Sequence, residues 1–267
     1  MKGLASVLVG LVLVGIACCA GPLELGLGAG PSFTSLDTVN QSIGVFNNVF
    51  DRLNGTFDAL PNVTGTIPAM SDIGTGLSMS ATERYRLTEW IALGAHVEYA
   101  GSSSATAGVY QGAETSHVEL SYRAHVLGAV LDGDVTFVDS RIRLGATAGI
   151  GYFYAILDRH AVIQIPEEYT EEIAGLPPEG DGRYTGGSIG LVAGISLTYP
   201  AFDWLSIGTQ VLYRSANVSS LTTSQGIAMD LNSDGQNDSL NLSGFAVQFS
   251  FAIRIDLSLD GGKESLQ

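Results

Sequence analysis

Four oxygen-bearing side chains between positions 230 and 241 have the spacing of a calcium-binding loop. They fall at the first, third, fifth and ninth places of such a loop: Asp230, Asn232, Asp234 and Asp238. Gly235 takes the sixth place, where the loop turns sharply, but the twelfth place holds Asn241 instead of the usual bidentate Glu. The pattern therefore predicts a short aspartate-rich calcium loop. The alternative is an acidic turn that only keeps a loop soluble.

A second set of ionisable residues occurs on alternate positions of otherwise apolar stretches. They are Glu24, His96, Glu98, His117, Glu119, Arg123, His125, Arg141, Arg143, Arg214, Arg254 and Asp256. If these stretches are strands of a closed barrel, the charges point inward and must be paired or hydrated. We expect an internal salt-bridge network, with Glu24 near Arg254 at one end and Glu98 near His117 and Glu119 at the other. A transition-metal site of His96, His117 and carboxylates is a weaker alternative, because no tight ligand spacing supports it.

These side chains belong to eight stretches in which apolar residues alternate with small or polar residues. They cover residues 23–30, 73–81, 91–99, 118–126, 141–154, 188–199, 205–213 and 244–256. Successive side chains of a strand point to opposite faces, so each stretch predicts a strand with one apolar face. A tilted strand of about 10 residues crosses a bilayer. The pattern therefore predicts an all-β fold, an eight-stranded antiparallel transmembrane β-barrel.

The lengths of the connections and the positions of the aromatic residues agree with the prediction of a transmembrane barrel. Gaps at 33–71, 101–115, 158–183 and 215–240 are long, whereas those at 83–89, 131–140 and 200–203 are shorter. Barrels of the outer membrane have short periplasmic turns and longer external loops. Aromatic side chains lie near both ends of the predicted strands and predict two interfacial girdles: Trp90, Trp204, Tyr85 and Tyr199 on one side, and Tyr99, Tyr154 and Tyr213 on the other.

Composition limits the partners and suggests an exported chain. Charged residues make up 15% of the 267 residues and the net charge is −15, which excludes nucleic acid as a partner. Residues 1–20 have a positive start, an apolar run and small residues, which predicts a signal peptide cleaved after Ala20. A lipid anchor on Cys18 or Cys19 is disfavoured, because neither has a leucine-like residue three places upstream in a suitable context. The barrel is then expected over residues 21–257, with a polar tail over 258–267.

A soluble barrel with an inward apolar face is the competing fold, since alternation alone does not say which face is inside. The small and polar face is rich in Gly, Ala and Ser, which suits the narrow interior of a membrane barrel better than a soluble surface. Segment 92–99, Ala-Leu-Gly-Ala-His-Val-Glu-Tyr, is typical of the pattern. On this architecture the chain resembles the small outer-membrane barrels of the OmpA, OmpX and opacity-protein type. The resemblance implies a bacterial outer-membrane location. The chain departs from it in the polar tail that follows the last strand.

The first long connection carries a helical pattern instead of alternation. Its apolar residues recur at helical spacing and are Leu36, Val39, Ile43, Phe46, Val49, Phe50, Leu53, Phe57 and Leu60, before Pro61 ends the run. The helix lacks the basic face of a membrane-surface helix. We expect it to cap the barrel.

Three functions are compatible with such a chain. The first is a non-enzymatic surface barrel, structural or adhesive, whose loops present a ligand-binding surface to an extracellular partner. The second is a narrow pore or a carrier for small hydrophobic molecules, although eight strands leave little free interior. A lipid-modifying enzyme ranks last, because His160, expected in a loop, is the only outward histidine available as a base. We expect a monomer in contact with outer-membrane lipid, no enzymatic activity, and no cofactor other than calcium.

Overall fold

A computed structural model of the chain describes residues 22–112, 115–166, 176–231 and 237–255. The described residues form one helix and eleven strands. In chain order they are β1 (Leu23–Thr34), α1 (Asp37–Asp58), β2 (Thr64–Thr66), β3 (Thr75–Arg86), β4 (Ile91–Gln111), β5 (Ser116–Asp139), β6 (Arg143–Gln164), β7 (Gly180–Phe202), β8 (Leu205–Ser215), β9 (Asn217–Val218), β10 (Leu240–Asn241) and β11 (Gly244–Ile255). The predicted signal peptide and the polar tail lie outside these residues.

Eight strands close an antiparallel barrel in the order β1, β3, β4, β5, β6, β7, β8, β11 and back to β1. First and last strands pair from Leu23 opposite Ile255 to Thr34 opposite Gly244, and this ladder completes the ring. β2 extends the sheet beside the far end of β4, while β9 and β10 form a separate two-stranded ribbon. The predicted eight-stranded barrel is confirmed.

The barrel strands have two distinct lengths. β1, β3, β8 and β11 have 11 or 12 residues, whereas β4 to β7 have 21 to 24. The sequence predicted long loops at 101–115 and 158–183 and a turn at 131–140. Strands cover a part of each of these ranges, so the predicted bounds were wrong. β-strand pairing continues to Gln111, to Gln164 and to Asp139. The longer strands form a wall that projects beyond the shorter ones. We call this wall, α1 and the described parts of 59–74 and 216–243 the head, and the remaining barrel the base.

Helix α1 confirms the predicted helix in the first long connection. Its apolar stripe is buried, and the buried side chains include Val39, Ile43, Phe46, Phe50 and Leu53. Phe46 stacks on Tyr122 of β5 with ring centroids 6.2 Å apart, and Phe57 contacts Tyr110 of β4 at 4.4 Å. The helix therefore lies against the inner face of the projecting wall and fills the space that the wall encloses.

An extended segment, residues 67–73, runs beside the helix and is held by an asparagine ladder. Three asparagine side chains each donate to the C=O and accept from the N–H of one residue: Asn40 with Ile73, Asn47 with Met70, and Asn54 with Ile67. The six distances lie between 2.7 and 3.0 Å. Because this segment has no strand partner along the ladder, the asparagines satisfy backbone groups that burial would otherwise leave unpaired.

The core of the molecule lies in the head, and this reverses part of the predicted orientation. Along β5 the apolar residues from Val118 to Val126 are buried in the cluster that contains α1, whereas the residues between them face outward. In the base the same strand turns Leu131 and Val135 outward and buries Asp132. The strand keeps one register from His117 to Thr136, so the residue types on its two faces exchange between base and head. The physical reason is α1, whose apolar face requires apolar neighbours inside the head.

Candidate functional site

A band of exposed apolar side chains surrounds the base. Ile189, Phe249 and Ile195 are 71%, 72% and 59% exposed, and exposed large apolar side chains occur on every strand of the barrel. The ten residue steps from Ile189 to Tyr199 correspond to about 25 Å along the axis of a barrel whose strands tilt by about 40°, which is the height of the apolar band of an outer-membrane barrel. A water-facing surface of this extent is not found on soluble monomers. The soluble alternative is therefore wrong.

Aromatic side chains border this band on both sides. At the short-turn end Trp90, Trp204 and Tyr199 are exposed and Tyr85 is partly exposed. At the other end Tyr213 is exposed, and Tyr99 and Tyr154 are partly so. The structure adds aromatic residues that the prediction omitted: Phe33, Phe137, Tyr152, Phe202 and Phe245. Two girdles at this spacing mark the two interfaces of a bilayer.

The chain is an outer-membrane β-barrel. In outer-membrane barrels the short turns face the periplasm and the longer loops face the exterior, so we refer to the short-turn end as the periplasmic end and expect the head outside the cell. None of the described helices has the length and hydropathy of a membrane-spanning helix.

No protein-family model and no curated protein matches the chain. Solved structures do resemble it. The outer membrane protein OprG from Pseudomonas aeruginosa is 11% identical with a TM-score of 0.40, over 88% of this chain and 96% of that one. Neisserial surface protein A is 12% identical with a TM-score of 0.41, over 88% and 97%. The outer membrane protease OmpT from Escherichia coli is 7% identical with a TM-score of 0.42, over 88% and 97%. At these identities and TM-scores, the likeness carries no conclusion about activity.

The periplasmic end of the lumen holds two ion pairs around a small cavity. Arg86 Nε lies 2.7 Å from Glu24 Oε1, and Arg84 Nε lies 2.6 Å from Asp134 Oδ2. The cavity measures about 100 Å³, and Arg143 is among its lining residues. It is large enough for a few water molecules beside the charged groups at this end.

The middle of the lumen is occupied by buried polar side chains. His96 Nδ1 lies 2.5 Å from Asp132 Oδ2, and both side chains are almost fully buried. Gln248 is fully buried and accepts hydrogen bonds from Ser80 and Gln210, both at 2.7 Å, while its amide nitrogen donates to Ser78 at 3.1 Å. These neutral and paired groups fill the lumen on the side of the cavity that faces the head.

The upper end of the lumen is closed by one buried ion pair. Arg214 donates to Glu98 Oε1 at 2.6 Å, to the carbonyl of Leu242 at 2.8 Å and to Thr34 Oγ1 at 3.1 Å. Its guanidinium also lies 5.7 Å from the centre of the Phe153 ring. Gly128 makes room for this arrangement, because a Cβ there would lie 2.7 Å from Glu98 Cγ and 2.8 Å from the Phe153 ring. Polar lumen and apolar head meet at this pair.

The structure places several predicted lumen residues elsewhere. His117, Glu119, Arg123 and His125 lie on the outer wall of the head, because the inner positions of β5 there are apolar. Arg141 is exposed in the turn between β5 and β6. The expected cluster of Glu98 with His117 and Glu119 was therefore wrong, and so was the pairing of His96 with His117 in one metal site.

The remaining predicted residues lie at the periplasmic end or outside the described residues. Arg254 stands opposite Glu24 in the ladder, as expected, although Arg86 is the residue that forms an ion pair with Glu24. Asp256 is outside the described residues. The sequence interpretation missed Arg84, Arg86 and the buried Asp132 and Asp134. The alternation that contains them continues past the limits given to the second and fourth stretches, and that continuation is the signal that locates them.

The outer wall of the head carries two polar rows that cross β5, β6 and β7. In the row nearer the membrane, Arg123 faces Asp158, which faces Arg183. Arg183 Nε and Nη2 donate to the two carboxylate oxygens of Asp158 at 2.6 and 3.0 Å. These hydrogen bonds hold the pKa of Asp158 below its ordinary value, and they raise the pKa of Arg183.

The second row contains Ser121, His160 and Asp181, and the two rows together line an open groove of about 670 Å³. His160 lies within β6 and not in a loop, so that expectation was wrong. Its Nδ1 lies 2.6 Å from Asp181 Oδ1. Although Ser121 stands directly opposite His160, the hydrogen bonds of the described residues include none between them. The pair of Ser121 and His160 therefore does not have the hydrogen bond of an activated serine.

Residues 186–190 read Gly-Gly-Ser-Ile-Gly, the Gly-x-Ser-x-Gly spacing of a nucleophile elbow, which sequence reasoning overlooked. That motif acts at a sharp turn between a strand and a helix. Here it lies inside the continuous strand β7, and Ser188 is on the inward face. It is therefore part of the barrel wall.

The ends of the predicted calcium loop are close together. The amide of Asp238 donates to the carbonyl of Met229 at 2.8 Å, and Asp238 Oδ2 accepts from the amide of Leu231 at 2.6 Å. Asp230 lies between these contacts, whereas Asn232 and Asp234 are outside the described residues.

Proposed function

We propose that the chain is a non-enzymatic surface barrel whose head presents a rigid binding surface outside the cell. The observation that carries the proposal is α1, which fills the space inside the projecting wall with a continuous apolar core. A rigid wall displays side chains in a fixed arrangement, which lowers the entropy that binding costs. The open groove on β5, β6 and β7 is a charged part of this surface, and its lining includes Glu119, Arg123, Asp158, Arg159, Asp181 and Arg183.

The alternative function, a narrow pore or carrier, has less support. Above the cavity of about 100 Å³, the lumen contains the Gln248 cluster, the pair of His96 with Asp132 and the pair of Glu98 with Arg214. α1 lies beyond them. A conducting path would need these groups to separate and the helix to leave the head.

The test combines conductance with surface labelling. We expect the protein in planar bilayers to give no resolved conductance steps, whereas the variant with Asn40, Asn47 and Asn54 all changed to Ala should have a looser head and give flickering openings.

We also expect Arg183→Cys to react with a membrane-impermeant maleimide on intact cells and Glu89→Cys, in a periplasmic turn, to react only after lysis. Stable channels in the unmodified protein would favour the pore, and an unreactive Arg183→Cys would contradict the external head.

We further propose that calcium binds the loop that begins at Asp230. Convergence of the loop ends at Asp238 supports this proposal, because calcium needs several oxygen ligands within 2.3–2.6 Å. Calcium should protect the loop from a protease in the unmodified protein, and protection should disappear in Asp234→Asn. Equal cleavage with and without calcium would show that the segment is only an acidic turn.

A further inference from the structure

Arg159 of β6 is buried in the head without a partner for its charge. It lies in the buried series of the strand, between Leu157 and Ala161, and is 8% exposed. Its Nε atom is buried and has no hydrogen-bond partner, and the hydrogen bonds, ion pairs and cation–π contacts of the described residues include none from this guanidinium. Because arginine keeps its charge in a protein, burial without an acceptor or an anion costs free energy.

A second unpartnered donor lies beside this guanidinium. Tyr122 stands directly opposite Arg159 in the β5–β6 ladder, where the two Cβ atoms are about 4.5–5.5 Å apart. Tyr122 is fully buried, and its hydroxyl has no hydrogen-bond partner. Burial raises the pKa of this phenol, so the hydroxyl stays protonated and can donate. Arg159 and Tyr122 are therefore neighbouring donors that lack an acceptor.

Gly182 of β7 leaves one side of the guanidinium uncovered. It stands opposite Arg159 in the β6–β7 ladder. A Cβ at this position would lie 3.4 Å from the hydroxyl of the partly buried Tyr184 and 3.5 Å from Arg159 Nη2. Arg159 and Gly182 are also among the residues that line the open groove, which places this space at the solvent-accessible rim of the wall. An anion can therefore approach the guanidinium beside Gly182.

The available edge of Arg159 is the edge with which Arg183 holds a carboxylate. Arg183 donates from Nε and Nη2 to the two carboxylate oxygens of Asp158 at 2.6 and 3.0 Å. In Arg159 the corresponding atoms are the unpartnered Nε and the Nη2 that lies beside Gly182. A guanidinium presents these N–H groups as a fixed fork that matches the geometry of a carboxylate.

We propose that Arg159, with the hydroxyls of Tyr122 and Tyr184, binds the carboxylate group of an external organic acid at the rim of the head. A single negative charge fits this site because one guanidinium is available, and the three carboxylates that line the adjoining groove repel a dianion such as phosphate. The site lies on the inner face of the wall. It is therefore separate from the polar rows on the outer face and from the predicted calcium loop, and it does not depend on the surface-binding role proposed above.

A purely structural role for Arg159 gives the opposite prediction for stability. If the guanidinium has no counter-charge in the ligand-free protein, Arg159→Leu leaves the head at least as resistant to protease, because an unpaired buried charge opposes folding. If the guanidinium only holds the strands together, the same change makes the head more sensitive to protease, and the proposal fails.

The experiment is a titration of the full chain in detergent with sodium acetate, at a constant ionic strength set with sodium chloride. Side-chain ¹⁵Nε resonances of arginine report binding. We expect a saturable shift of Arg159 with millimolar affinity, and no shift of Arg183, whose fork is occupied by Asp158. Phosphate should shift Arg159 less. Tyr122→Phe should weaken acetate binding by about 3- to 10-fold. Gly182→Ala should also weaken it, because the added Cβ occupies the space beside Nη2.

Arg123→Leu is the matched control, because it removes an exposed arginine from the same wall. Acetate should protect the head from protease in the unmodified protein and in Arg123→Leu, but not in Arg159→Leu. The absence of a saturable Arg159 shift in the unmodified protein would overturn the proposal. So would a shift that appears only after the four Glu residues of 167–172 are changed to Gln, because a carboxylate of this chain would then hold the guanidinium. A gel comparison of boiled and unboiled samples shows that each variant has folded.

Discussion

Single side chains hold the head together through backbone groups that have no strand partner. The three asparagines of α1 are seven residues apart, which is about 10.5 Å along a helix. Their partners, Ile67, Met70 and Ile73, are three residues apart in an extended segment, which is about 10 Å. The two repeats therefore match, and one amide can pair with one peptide unit at each step. The seven-residue spacing of asparagines is visible in the sequence, but its partner segment is not.

Changing the central asparagine tests this ladder. In Asn47→Asp the acceptor of the Met70 amide remains, but the donor to the Met70 carbonyl becomes a second acceptor. We expect a loss of about 1–3 kcal/mol in the stability of the head and faster hydrogen exchange of the Met70 amide. Asn48→Asp is the control, because Asn48 is exposed on the same helix turn. Similar exchange in both variants would mean that the ladder contributes nothing to stability.

A second prediction at this scale concerns Asp158 and its partner Arg183. The pKa of Asp158 lies below its ordinary value of 3.8, so the pair stabilises the folded head above that pH and the stabilisation is lost as pH falls through the lower, folded pKa. We expect Arg183→Gln to raise the pKa of Asp158, measured by carboxyl ¹³C NMR against pH. Arg123→Gln should raise it less, because Arg123 is the smallest cause of the depression. The reverse order would contradict this account.

At the scale of elements, the strand pattern predicted pairing but not which face is inside. Alternation along 118–126 was read correctly as a strand, yet its apolar face was assigned to the lipid. Period-two alternation is the same for a strand with lipid outside and for a strand with a packed core inside. The choice depends on α1, which lies about 70 residues earlier in the sequence and packs on Tyr122. Only a contact between distant elements decides it, so sequence periodicity could not.

The contact between helix and wall gives the element-scale prediction. Phe46 is fully buried, and Phe46→Ala should destabilise the head by about 3–5 kcal/mol because it leaves a cavity against Tyr122. Val45→Ala is the control, since Val45 is 47% exposed on the same helix. Protease sensitivity of the head should rise in the first variant only. The base should still shift on a gel when boiled, because its strand ladders are intact.

The whole molecule consists of two parts with opposite organisation. The base is apolar outside and polar inside, as a bilayer requires, while the head is polar outside and apolar inside, as water requires. The sequence was enough to predict the barrel, its outer-membrane location and the girdles, because these depend on local alternation and on aromatic positions. It was not enough to predict the groove on the outer wall, because Arg123, Asp158 and Arg183 become neighbours only through strand pairing in the head.

The pair of Glu98 and Arg214 joins these two parts, and it gives a prediction for the whole molecule. Arg214→Leu leaves the buried Glu98 carboxylate unpaired and removes the bonds to Leu242 and Thr34, so we expect a loss of about 3–5 kcal/mol. In the double variant Glu98→Leu with Arg214→Leu no buried charge remains, and most of this loss should be recovered.

Denaturant unfolding in detergent measures both variants, with two readouts that separate head from base. Protease cleavage reports the head, and the mobility of unboiled protein reports the base. If Arg214 couples them, Arg214→Leu should open the head at denaturant concentrations at which the base stays folded, whereas the unmodified protein loses both together. Simultaneous loss of head and base in every variant would place the coupling in the continuous strands β4 to β7 instead.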